Sequence, residues 1–442
     1  MRIGQVVIDI APLRESRDFR RMFAGRFVSM AGNAVATTAA NWQVYGLTHS
    51  SLAVGLLTLA NSTGMLAGLL AGGMLADRHD RRKLMLVSRV PLAALAALLM
   101  VNSLLSHPAL WAIYVLTLAM GLLSGLGGPA ATAAIPALVG PQRLAAAAAL
   151  NAMGSQLGSL GGPALAGALI AGPGLAVCYG IDTGCFVVFG LTLWFIRALP
   201  PTVRAQRPGL RSMAEGLRYV RHNGVVGGML AVDTSAMIFG MPSALFPALA
   251  HQHFHGGSAT FGLLAAAPGL GAMVGAATSG WTGKLRRPGV VVIGAGIVWG
   301  AAIVGFGLSH NLAVALGFLA VAGMGDLISE VLRNALLQYY TPDALRGRVA
   351  SLYLAQVNSA PSIGNVEAGL VSQLFSTTVS VVSGGLACIV GALVLGAAIP
   401  ALRHARLANP DGQARGESGT DQPGTDQSGT DTDLTESPAP AL

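Results

Sequence analysis

Five carboxylates interrupt long apolar stretches of this 442-residue chain: Asp182, Asp233, Asp326, Glu330 and Glu367. An acid at the centre of a membrane-crossing helix costs roughly 2.5–3.5 kcal/mol on an insertion scale, so it faces a bundle interior, pairs with a cation or takes up a proton. A carboxyl group sheltered from water can load and release a proton, the chemistry of a relay. Asp326 and Glu330 are four residues apart on one helical face, and Arg333 follows three residues later. This spacing predicts a Glu330–Arg333 ion pair beside an Asp326 that is free to titrate. A static polar network holding the same helices together fits the spacing equally. Asp233 is a second proton-site candidate. Asp182 and Glu367 lie nearer the outer ends of their apolar runs and read as structurally paired or hydrated.

The elements that carry these acids are set by composition. The chain is 53% hydrophobic and 10% charged, with a mean hydropathy of +0.61. A soluble domain carries about 25% charged residues, so most of this chain must face lipid or other apolar helices. Twelve apolar segments, each near the ~20 residues that span a bilayer, run over 22–47, 52–76, 84–106, 109–131, 144–171, 175–198, 224–250, 257–283, 289–308, 311–338, 348–374 and 379–402. Lysines and arginines cluster before the first span, after the last, and in alternate connections at 77–83, 132–143, 199–223, 284–288 and 339–347. The opposite connections, around His49, His107, Gly172, His253, His310 and Ser376, carry none. That asymmetry predicts a multi-pass protein of the plasma (inner) membrane with both termini cytoplasmic. Arg26, Arg89 and Arg333, just inside helix ends, can snorkel to the surface.

The expected fold is all-α, with twelve transmembrane helices in two six-helix bundles. The organisation reads as an N-terminal segment 1–21, a first bundle 22–198, a linker 199–223 with a short amphipathic helix, a second bundle 224–402, and a disordered cytoplasmic tail 403–442. Faint repetition relates the halves, with Gly162 and Gly167 echoed by Gly364 and Gly369, and such repeats rock around a midplane site. Along span one, Asn33, Asn41, Trp42, Gln43 and Tyr45, with Gln356 and Asn358 in span eleven, are candidates to line that site, or else to bond helices together. Arg26 is positioned to attract an anionic substrate or to snorkel.

Other chemistries are poorly represented. His251, His253 and His255 are metal-ligand types, but they alternate in a loop with no adjoining acid or cysteine, so no metal is expected. There is no nucleophile–base pair and no Walker motif, hence no enzyme, cofactor or ATP is expected. The net charge of +8 sits at membrane-surface turns and does not point to nucleic acid.

Two stretches carry a family resemblance. Gly73-Met74-Leu75-Ala76-Asp77-Arg78, followed by Asp80, Arg81, Arg82 and Lys83, runs an apolar helix into an acid and a basic cluster. Asp77 can be neutralised by Arg78, Arg81 or Arg82, or by a helix N-terminus. The stretch resembles the turn between helices two and three of major facilitator superfamily transporters, where it latches the cytoplasmic gate. Asp80 replaces that family's usual glycine, and in the second half Lys284 stands where the acid would be. Gly158, Gly162, Pro163 and Gly167 space small residues for close helix contact; the pattern resembles the antiporter motif of proton-coupled exporters, with Ala166 replacing one glycine. Pro136 to Gly140, Phe246 to Ala250, Gly347-Arg348-Val349 and Glu215 to Val220 are similar to the enterobactin (siderophore) exporter branch. The resemblance covers about residues 12–404 and implies proton-driven efflux of a catecholate siderophore. A multidrug efflux pump for hydrophobic or cationic drugs is the alternative, and a non-transporting receptor or scaffold the second.

Overall fold

The computed structural model describes residues 9–76, 78–200 and 210–406. Asp77 and the tail beyond 406 therefore lie outside the described residues. Within them the regular elements are all helical. We number the long segments α1 (Arg17–Thr48), α2 (Ser51–Ala76), α3 (Arg81–Leu104), α4 (Leu110–Val139), α5 (Leu144–Ala171), α6 (Leu175–Trp194), α7 (Gly224–Phe239), α8 (Ser258–Thr278), α9 (Pro288–Leu308), α10 (Leu312–Tyr340), α11 (Asp343–Leu374) and α12 (Thr377–Ala398). The expected amphipathic linker helix is present at Leu210–His222.

Capping residues fix several helix starts by accepting hydrogen bonds from otherwise orphaned amides. Ser16 accepts from Phe19 N (3.2 Å), Asn223 from Val226 N (3.0 Å), Asn311 from Ala313 N (2.8 Å) and Ser376 from Val379 N (3.2 Å). The Ser16 cap starts α1 before the apolar run at 22–47, and α11 begins at Asp343, directly after Pro342 and ahead of the run at 348–374, with no side-chain cap. Among the described residues, nine helices are long and apolar enough to cross a membrane by composition alone. The three others of the twelve are α1, α5 and α11. Charges at one end dilute α1 and α11, and alanine, glycine and amides dilute α5.

Packing divides the helices into two bundles. In the first, α2 lies against α4, α1 against α5 and α6, and α3 against α4 and α6. In the second, α8 lies against α10, α9 against α10 and α12, and α7 against α11 and α12. The bundles meet along α2–α11 and α5–α8. Small residues make both seams possible. A side chain at Gly55 or Gly369 would overlap the backbone across the α2–α11 seam, and one at Gly167 or Gly262 would do so across α5–α8. These positions belong to the end whose loops lack lysine and arginine. At the same end Gln252 Nε2 donates to Tyr45 Oη (3.0 Å) and Trp42 stacks on Phe261 with centroids 5.5 Å apart.

Candidate functional site

Three helices of the second bundle converge on one guanidinium. Arg333 of α10 is 4% exposed and forms an ion pair with Asp233 of α7, itself 2% exposed. The second Asp233 oxygen accepts from Gln356 Nε2 of α11 (2.9 Å), so both of its oxygens have partners. Arg333 also donates to Ser329 Oγ (3.2 Å) and to Asp326 Oδ1 (3.4 Å), one and two turns back along its own helix. Asp326 differs from Asp233 in one respect that matters: its side chain is 45% exposed. Arg333 thus joins a buried acid to an accessible one.

The accessible side is a chamber of about 420 Å³ between the bundles. Thr38 and Asn41 of α1, with Ser155, Gln156 and Ser159 of α5, form one wall. Phe246, Phe261 and Trp299 add aromatic surface, and among the described residues Asp326 and Glu330 supply the only ionisable groups lining it. Part of the opposite wall is a break in span seven. The helix stops at Phe239, resumes as short turns from Ser243, and passes through a π-turn at Leu249–His253. The backbone groups freed by the break find partners, as a membrane interior demands. Trp299 Nε1 donates to Gly240 O (2.8 Å), while Asn365 Oδ1 accepts from Ala244 N (2.9 Å) and Ser243 Oγ (2.8 Å). A smaller recess of about 120 Å³ behind Asn41 is lined by Asn33, Thr37, Asn61 and Ser62, and by Ser362 of α11.

Comparison with known proteins agrees with this architecture. Residues 8–413 match the major facilitator family described as transmembrane secretion effectors. The chain belongs to that family. It is 33% identical over 404 residues to the enterobactin exporter of Citrobacter koseri, covering 91% of this chain and 97% of that protein. The enterobactin exporter of Escherichia coli strain K12 is 32% identical with the same coverage. Among solved structures, a POT family transporter bound to a thioalcohol-conjugated peptide superposes with a TM-score of 0.71 at 13% identity, over 87% of this chain and 96% of that one. The protein is a multi-pass membrane transporter with twelve helices in two bundles.

Several expectations about this transporter need correction. Arg333 pairs with Asp233 and not with Glu330, because a guanidinium this deeply buried requires an equally buried partner, whereas Glu330 turns to the chamber. Asp326 is not free, since it shares Arg333. Gln356 belongs to this charge group and is not among the residues lining the chamber. Gln43 is also withdrawn, at 4% exposure, where its Oε1 accepts from Tyr179 Oη (2.6 Å). Trp42 lies in the seam between bundles, and Asn358 donates to Leu354 O (2.7 Å) of its own helix. Arg26 is half-buried in the first bundle and lines neither cavity. Asn33 and Asn41 do line cavities. The antiporter-like residues divide: Gly162 meets Ala34 of α1, whereas Pro163 and Gly167 press on α8, and Gly158 makes only ordinary contact with Met30.

The basic turn is organised by helix ends. Arg81 donates to Ala133 O (2.9 Å), and Arg82 to Leu193 O (3.0 Å) and Trp194 O (2.6 Å), carbonyls near the ends of α4 and α6 where positive charge is favoured. Asp80 caps α3 by accepting from Arg82 N (2.8 Å) and also accepts from Leu199 N (3.2 Å). That capping role gives the departure from the usual glycine a physical reason. Arg78 is exposed, and Gly73 faces open space; the close approach to α4 is made by Gly72. His253 Nε2 lies 2.8 Å from Ser309 O, and no metal-holding cluster occurs among the described residues.

Sequence reasoning passed over two features. The break in span seven, just after α7, had a faint signal in Gly240 and Pro242. Asp182, expected to be paired or hydrated, is 0% exposed with no hydrogen-bond partner on either oxygen among the described residues. Arg89 does not snorkel: its guanidinium lies over the rings of Phe186 (5.9 Å) and Phe189 (5.0 Å).

Proposed function

We propose that this transporter exports a catecholate siderophore such as enterobactin across the inner membrane, in exchange for inward-moving protons, by alternating access. The carrying observation is 33% identity along 97% of a curated enterobactin exporter. The chamber supports the reading chemically. Its walls set aromatic faces beside uncharged donors and acceptors, which is what a hydroxylated aromatic ring needs from a pocket.

Proton coupling is assigned to the Arg333 group. Asp233, Asp326 and Glu330 are three acids gathered around one base, so full ionisation leaves uncompensated negative charge at the chamber wall. Asp326, the exposed member bonded to Arg333, takes the proton. Its protonation removes one of the two carboxylates holding Arg333 and so changes how α10 is tied to α7. Each entering proton supplies about 2.3 kcal/mol per 100 mV of membrane potential. The turn containing Asp77, Arg78, Arg81 and Arg82 serves as the cytoplasmic latch, with both termini on that side.

A second reading draws on the same wall, because Asp326 and Glu330 would also attract a cationic drug. Everted membrane vesicles with an imposed proton gradient separate the two. Iron-free enterobactin should accumulate, an uncoupler should abolish its uptake, and a cationic dye should move little. Dye uptake without enterobactin transfers the assignment to multidrug efflux. Gradient-dependent movement of neither overturns both.

A further inference from the structure

Asp182 is the only acid between residues 84 and 198, and it sits two turns inside α6. Its burial is complete, and neither oxygen is hydrogen-bonded among the described residues. It packs against α1 at Gly32, where a Cβ would stand 3.1 Å from Asp182 Oδ1 and closer still to Cys185. An ionised carboxylate left unpaired in such a place is among the most costly arrangements a protein can hold. Most buried polar groups find partners, so an exception of this kind calls for an explanation.

The neighbouring helices offer few charges. From α3 comes Arg89, from α1 comes Arg26, and α5 contributes no ionisable residue; α6 itself adds Cys178, Tyr179 and Cys185. Arg89 is the nearest candidate counter-ion, yet the two are not within ion-pair distance. Its guanidinium rests instead over Phe186 and Phe189, and its Nε is buried without a partner among the described residues. Those rings follow Asp182 by four and seven residues, so they share its helical face about 6–10 Å further along the axis. Both members of an ion pair are therefore present on one face, held apart, each with unmet hydrogen-bonding capacity.

We propose that Asp182 is a proton-binding site of the amino-terminal bundle, and that Arg89 is the cation that takes the proton's place. With the proton bound, Asp182 is a neutral acid and Arg89 stays on the two aromatic faces, where a cation is attracted by the rings. When the proton leaves to water, the carboxylate draws the guanidinium along α6 and the pair closes. The exchange re-seats α3 against α6 with no covalent change. Its partners lie outside the chamber wall, so the site acts on the first bundle itself and needs no particular cargo.

Infrared difference spectroscopy on the full-length transporter in lipid nanodiscs tests this directly, since a protonated carboxyl has its own C=O stretching band. The wild type should show such a band at neutral pH that disappears after an alkaline step. The band should be missing from Asp182→Asn and displaced in Asp182→Glu. In Arg89→Gln it should survive an alkaline step that removes it from the wild type, because no cation is left to replace the proton. An unaltered band in Asp182→Asn, or Arg89→Gln behaving as the wild type, overturns the proposal. If Asp182→Asn does not fold, Arg89→Gln decides alone. The measurement reads a carboxyl group and not transport, so its failure leaves the exporter reading intact.

Discussion

Among the described residues, Asp233 gives both of its oxygens to partners, and Asp182 gives neither. Both acids are almost wholly buried, so burial alone does not distinguish them. The second bundle binds Asp233 into a group spanning α7, α10 and α11, with Arg333 linking it to Asp326 at the chamber wall. The first bundle leaves Asp182 and Arg89 apart on one face of α6, away from the chamber. A charge group can respond to what fills a cavity only if one of its members reaches that cavity. By this criterion we propose the Arg333 group as the coupling site, with the Asp182 pair a local element of the first bundle.

The contrast can be broken by substitution. Arg333→Gln leaves Asp233 buried without its cation and should destabilise the protein by roughly 3–5 kcal/mol, read as a lower unfolding temperature in detergent. Replacing Arg333 and Asp233 together by leucine should recover much of that loss; no recovery would mean the pair is not what holds α7 to α10. Gly167→Val places methyl groups into Ser258 and α8 and should cost about 1–3 kcal/mol as overpacking, with transport lost at unchanged membrane abundance. Asp182→Asn removes no hydrogen bond and conserves shape, so its effect on stability should stay within about 1 kcal/mol. A loss as large as that of Arg333→Gln would show the two acids to be alike. Replacing His251, His253 and His255 together by alanine should leave export unchanged in the vesicle assay, since they alternate in one loop with no adjoining acid or cysteine.

The architecture was legible because lipid imposes a length and loops carry a charge bias. Twelve apolar runs correspond to twelve helical segments; α1 starts early because Ser16 caps it, and span seven is interrupted where its helix stops at Phe239 before Gly240 and Pro242. The charge group was half legible. Spacing put Asp326, Glu330 and Arg333 on one face, but spacing along a single helix is silent about what the next helix presents. The decisive partner, Asp233, lies 100 residues away on α7. For the same reason Gln43 and Gln356 read as cavity residues: an amide in an apolar run faces something polar, and only packing reveals whether that is Tyr179, Asp233 or a ligand. Arg89 was misread because a long basic side chain near a helix end can snorkel, and the aromatic seat made by Phe186 and Phe189 depends on how α3 lies against α6.

The most direct test of coupling through the Arg333 group is enterobactin accumulation by purified protein in proteoliposomes, with and without an imposed proton gradient. The wild type should accumulate substrate only when the gradient is present. Asp326→Asn should lose that accumulation yet still exchange substrate between the two sides at equal concentration. Gradient-driven accumulation by Asp326→Asn at the wild-type level would contradict the account.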